Sequence, residues 1–321
     1  MSELQSESVT TRREAPETRE TREETVAALS GDVLDAAVIP AIRRRGLGIG
    51  FWLAVGWLAV LVGLAVLAPV LPFVQDPATL DPFALREGPT ADHWLGADDG
   101  GRDVFARIIY GGRVSLFIGV ASVTIGMTIG GFLGLTAGYF RGRYERVVMS
   151  AMDTLLAFPA LVLALALVTF LSDPGEQGGS ITTVTLALGI LAIPALARIT
   201  RASTLTFAER EFVTAARSLG ASHRRILTRE ILPNVVPPML SFSLLAVAVV
   251  IVAEGALSFL GLSVQAPQPT WGNLIAQGRP VLREAPHIAL MPCAVMFVTL
   301  LSLNFAGDTL RRRFDVREGL L

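Results

Sequence analysis

The chain has 321 residues, is 52% hydrophobic and 17% charged, and carries a formal net charge of −1. Its apolar residues gather in long uninterrupted runs, which makes it an integral membrane protein, and it has no basic stripe interleaved with aromatics to engage nucleic acid. All 27 basic residues are arginine. A P-loop needs Lys to reach the nucleotide phosphates, so any ATP used must be bound by another chain. The single cysteine, Cys293, excludes an internal disulfide and a Cys-rich metal site.

Residues 1–40 form a Glu/Arg/Thr-rich stretch with too little apolar surface to offset its ordering entropy, so a disordered or partly helical tail is expected there. It is too acidic for a secretory signal peptide. A helix rises about 1.5 Å per residue and the hydrocarbon core is about 30 Å thick, so a span needs roughly 20 apolar residues. Six segments qualify: Ile49 to Leu71, Val114 to Ala137, Val147 to Leu171, Ile181 to Ala197, Val235 to Leu262 and Ile288 to Phe305. The expected organisation is a first span with its outer loop over 41–113, a helical core over 114–310 and a C-terminal tail over 311–321. Pro159, Pro194 and Pro292 interrupt three of these helices and are candidate kinks.

With the N-terminus inside, the inner flanks hold 17 arginines and the outer loops 6, so the positive-inside rule puts both termini in the cytoplasm. The second span carries Gly126, Gly130, Gly134 and Gly138 on one helix face, a ridge that lets another helix approach closely.

Between the fourth and fifth spans lies a segment of more than thirty residues on the cytoplasmic side. Phe212, Ala215, Ala216 and Leu219 fall at helical spacing, with Glu209, Arg210, Glu211 and Arg217 elsewhere around the wheel. Gly220 is placed to end that helix as its C-cap glycine. A second short helix from about His223 should stop at Leu232 and Pro233. By pattern alone, this is equally an amphipathic helix lying on the membrane surface.

The particular residues resemble the EAA loop of ABC importer permeases: two alanines, three residues, glycine, nine residues, then a position followed by x-Leu-Pro. Here these are Ala215, Ala216, Gly220, Leu232 and Pro233, with Thr214 at the first Glu position and Glu230 where Ile is usual. Three further stretches are similar to one branch, the inner-membrane permeases of dipeptide, oligopeptide and nickel importers. They are HWLGADDGGRDVFARIIYGGRVSLFIG from His93, AEGALSFLGLSVQAPQPTWG from Ala253, and NFAGDTLRRRFDVR from Asn304, where Arg312 replaces a frequent Asp.

The resemblance implies an all-α membrane protein with six transmembrane helices and a type I importer permease (MetI-like) core. It implies import of a peptide, a nickel complex or another small solute across the bacterial inner membrane by alternating access, with no catalytic residue and no cofactor in this chain. The implied partners are a related second permease in a heterodimer, two ABC ATPase subunits holding ATP-Mg, and an extracytoplasmic solute-binding protein. Phe212, Ala215, Ala216, Leu219, Gly220, Leu232 and Pro233, in the loop near 207–233, would then contact the ATPase. Two rival classes stay in view: an ion-coupled secondary transporter and a polytopic membrane enzyme. No cluster of nucleophile, base or metal ligands at one depth supports the second.

Asp153 and Glu254 are acidic residues within spans, where an ionisable group is costly and faces protein or water, so both are candidates for a translocation path. Each also has a plainer reading, Asp153 as an interfacial residue and Glu254 as a helix-to-helix hydrogen bond. Asp98, Asp99, Arg102 and Asp103 lack EF-hand spacing and read as a turn built on Gly100 and Gly101. His93, His223 and His287 are far apart, and no metal is assigned.

Overall fold

Residues 47–173 and 178–318 are described by the structure, a computed structural model, with the side chains of 315–318 outside that description. The expected tail over 1–40, Arg43 to Arg45 and the last three residues lie outside the described residues. In chain order the helices are α1 (Gly48–Leu67), α2 (Val104–Phe140), α3 (Gly142–Ala157), α4 (Ala160–Leu171), α5 (Ile181–Ala208), α6 (Glu211–Ser218), α7 (His223–Phe259), α8 (Trp271–Gly278) and α9 (His287–Glu318). Among the described residues five helices are long and apolar enough to cross a membrane, six if α3 and α4 are one broken span.

Capping residues fix the helix starts. Asp103 accepts the Ala106 N–H at 2.7 Å to open α2, and Ser180 accepts the Thr183 N–H at 3.1 Å to open α5. Thr270 and Asn273 form a reciprocal capping box at α8. α1 is apolar around its whole circumference, with Trp52, Leu53, Val62 and Val66 facing outward, as contact with lipid demands.

Five boundaries differ from the sequence expectation; one is the end of α5, which runs on to Ala208 instead of stopping at Ala197. α2 starts ten residues before Val114, because Arg107, which interrupts the apolar run, is buried against Asp98. The third run is two helices meeting at 94°: Pro159 excludes Phe158 from helical geometry, and Phe158 sits at φ −77°, ψ 138°. α7 does not stop at Leu232 and Pro233. Its turn Ile226–Ile231 is a π-helix in which Leu232 N–H donates to Leu227 O, so Pro233 falls at the first turn of the following α-helical stretch, where a missing N–H costs nothing. α9 continues through Arg311 to Arg313, which were expected in a tail. Pro194 and Pro292 both lie inside continuous helices.

The core lies where α2, α4, α5 and α7 converge, with Ile118, Val168, Leu188, Ile251 and Leu257 buried in one cluster. Its tightest seam joins α2 to α5. A Cβ on Gly126 would stand 2.7 Å from the Ala192 Cβ and one on Gly138 2.8 Å from the Thr204 Cβ. At Gly130 and Gly134 it would strike the backbone oxygens of Ile193 and Ala197. The glycine ridge therefore serves backbone-to-backbone packing within the chain.

Candidate functional site

Three regions concentrate polar or exposed chemistry. The first is the hairpin between α5 and α7. α6 ends on Leu219, and Gly220 takes φ +77°, the left-handed region that glycine enters at little cost. Gly220 N–H donates to Arg217 O and Ala221 N–H to Ala216 O, both at 3.0 Å, the paired bonds of a Schellman motif.

This turn divides the apolar residues of α6 into two faces. Val213 is fully buried against Phe207, Ile226 and Ile231, with Ala216 packed beside it. Phe212, Ala215 and Leu219 face outward, Leu219 at 89% exposure. Leu232 is half-buried and Pro233 exposed. Val213 is the anchor that the sequence stripe missed, because eight residues give too few turns to tell the inner from the outer face. The hairpin is tied to α2 by Tyr139 Oη and His223 Nδ1 at 2.8 Å.

The second region is a groove of about 690 Å³ between α3 and α5, lined by Glu145, Arg146, Ser150 and Asp153 on one face of α3 and by Arg198 and Arg201 on α5. Arg201 Nε donates to Glu145 Oε1 at 2.6 Å, and Arg198 pairs with Asp153. α3 is also held by Met152, its one buried residue, which packs on Ile193 and Ala197 with Met149 and Leu155 beside it, and by Tyr144 Oη, 3.0 Å from Thr136 Oγ1.

The third region is a node at the opposite end of the bundle from the hairpin. Glu254 is 0% exposed, and its Oε1 accepts the hydroxyls of Ser263 at 2.6 Å, Thr270 at 2.9 Å and Ser258 at 3.0 Å, while Oε2 is buried without a partner. Beside it, fully buried Trp271 donates its backbone N–H to Ser115 Oγ at 3.1 Å and its indole N–H to Ile108 O at 3.0 Å. Gly272 and Gly255 let α8 and α7 approach closely, since a Cβ on Gly272 would stand 2.7 Å from the Gly255 Cα. The stretch from Ala253 to Gly272 thus folds back on itself around one carboxyl.

Glu254 and Asp153 are not brought together: the first sits in this node and the second lines the groove. Asp98 accepts the N–H groups of Gly100 at 2.8 Å and Arg102 at 3.0 Å through Oδ1, and the guanidiniums of Arg102 and Arg107 through Oδ2. His93 Nδ1 lies 3.3 Å from Asp103, whereas His287 contacts the Ala97 carbonyl.

Residues 130–318 match the family described as "Binding-protein-dependent transport system inner membrane component". The chain belongs to this family. It is an ABC importer permease. The permease is 40% identical to a glutathione transport system permease protein of Pectobacterium atrosepticum over 256 residues, covering 80% of this chain and 83% of that one. It is 42% identical to the protein of the same description in Escherichia coli over 231 residues, 72% of this chain and 74% of the relative. The fold aligns with a chain of the MetNI methionine ABC transporter at TM-score 0.55 and 17% identity, covering 65% of this chain and 96% of that one. An amino acid ABC transporter aligns at TM-score 0.51 and 22% identity, covering 65% and 94%. The permease therefore has the MetI-like all-helical core and is a multi-pass component of an inner-membrane transport system.

Proposed function

We propose that this permease imports short peptides or closely related small polar solutes, and that the hairpin of α6 and the start of α7 is the surface on which separate ATPase subunits dock. The observation that carries the reading is the two-faced α6: Val213 and Ala216 fasten it to the membrane helices, while Phe212, Ala215 and Leu219 are left open beside a glycine-fixed turn. An exposed apolar patch on an anchored helix is a protein-docking surface. Peptide-like cargo is supported by the glutathione permeases among the relatives.

In this reading both termini and the hairpin are cytoplasmic, in line with the arginine distribution. Two ATPase subunits bind ATP-Mg, a related permease completes the pathway, and an extracytoplasmic solute-binding protein delivers cargo. ATP-driven closure of the ATPase pair moves the hairpins and alternates access. The polar face of α3, Asp153 included, lines the path, and Glu254 holds the far end of the bundle together.

The test is Leu219→Asp in the complete transporter. The side chain is exposed, so the variant should reach normal abundance in the membrane, yet ATPase co-purification and solute-stimulated ATP hydrolysis should fall at least tenfold. Wild-type values for both would overturn the docking assignment.

A further inference from the structure

The geometry points to the α3–α5 groove as a transit site for a peptide of about three residues bearing one ammonium and two carboxylates. This rests on the peptide-import reading and adds the charge and length that the permease itself selects. The groove's three guanidiniums, Arg146, Arg198 and Arg201, face two carboxylates, Glu145 and Asp153, leaving one positive charge in surplus. Arg146 supplies it: Arg198 pairs with Asp153 and Arg201 with Glu145, and Arg146 has no acidic partner among the described residues.

Both existing pairs are at least partly open to solvent, and such pairs contribute little. A ligand's charged ends can therefore replace them, with the ammonium on one carboxylate and the carboxylates on guanidiniums, whose planar fork matches carboxylate geometry.

Length follows from the helix. Glu145 and Asp153 are eight residues apart on α3, about 12 Å along its axis. An extended tripeptide spans roughly 10–11 Å, so its termini reach both ends of the groove, while a pentapeptide overruns it. A volume of about 690 Å³ falls within the range of small-ligand sites. The two carboxylates disfavour a purely anionic occupant such as a phosphatidylglycerol headgroup.

The experiment uses the complete permease–ATPase complex, purified without its solute-binding protein, and radiolabelled glutathione, which carries one ammonium and two carboxylates. Saturable binding is expected, with trialanine competing at least tenfold more weakly and pentaalanine weaker still. Arg146→Gln should lower glutathione affinity about tenfold and leave trialanine affinity unchanged, removing the discrimination. Asp153→Asn should weaken both peptides. The proposal is overturned if the complex shows no saturable binding, if phospholipid but not peptide displaces the label, or if Arg146→Gln keeps the preference for glutathione. Uptake into proteoliposomes by the full system with its binding protein is scored separately. Import without binding to the permease complex sinks this site alone, whereas failure to import any short peptide sinks the function reading beneath it.

Discussion

The α2–α5 seam and the broken pair α3–α4 are both cut from apolar runs of similar length, yet they pack in opposite ways. In the seam, glycines at every fourth position bring two backbones into contact, and no room remains for a Cβ. Along α3, charged and hydroxylated residues line a groove against α5 bridged by ion pairs, and the two helices meet through Met152 packed on Ile193 and Ala197. In a membrane, where lipid is as apolar as leucine, small residues close an interface and polar ones keep it open to water. On the function proposed above, the first arrangement serves as scaffold and the second as lining.

The strongest challenge to this contrast is a larger side chain in the seam. Gly130→Leu or Gly134→Leu should cost on the order of 3 kcal/mol or more, because the clash is with backbone that cannot step aside. Membrane abundance and the melting temperature of the purified complex should both fall steeply, while Ser150→Leu in α3 stays within about 0.5 kcal/mol of wild type. Equal abundance of the two kinds of variant would erase the distinction.

Next in size is Glu254→Leu, which leaves two buried hydroxyls, Ser263 and Thr270, and the half-buried Ser258 without their acceptor and should destabilise by about 2–3 kcal/mol, read by thermal denaturation. Glu254→Gln keeps an oxygen in the same place and should cost under about 1 kcal/mol. A Gln variant that melts normally but fails to transport would move Glu254 from scaffold to lining.

Gly220→Val forces a β-branched residue into the left-handed region, a local strain of about 1–2 kcal/mol. The spans should insert normally, with the loss appearing in ATPase co-purification and in solute-stimulated ATP hydrolysis. The smallest effect is expected for Asp153→Asn. Its pair with Arg198 is exposed, so the melting temperature should shift by the equivalent of less than about 1 kcal/mol. A loss as large as that of the glycine variants would mean that α3 is locked as firmly as the seam.

Much of the fold was legible because the membrane imposes length: runs near 20 apolar residues located the five long apolar helices and the broken pair α3–α4, and the glycine ridge and Gly220 were readable from spacing. What escaped depended on partners remote in sequence. The early start of α2 needs Asp98 to neutralise Arg107 and Gln277 to bond it, and neither shows in a hydropathy pattern. The Glu254 node needs Ser115, Ser263, Thr270 and Trp271, residues unremarkable singly and spread over two helices and a loop. Leu-Pro reads as a helix stop, and only the wider π turn before it lets α7 pass through. The groove was half visible: Asp153 stood out as an acid in a span, but Arg198 and Arg201 looked like flanking positive charge until α5 extended past Ala197 and carried them alongside α3.

That uninterrupted α7 has a mechanical consequence. His223 and Glu254 lie on one continuous helix, about 46 Å apart along its axis, which passes through the π turn at Ile226–Ile231 and through Pro237 and Pro238 without a break. If the hairpin is the docking surface proposed above, a push on it would be carried along this helix toward the hydroxyls gathered on Glu254. The packing around Trp271 and the hairpin surface thus share a single helix.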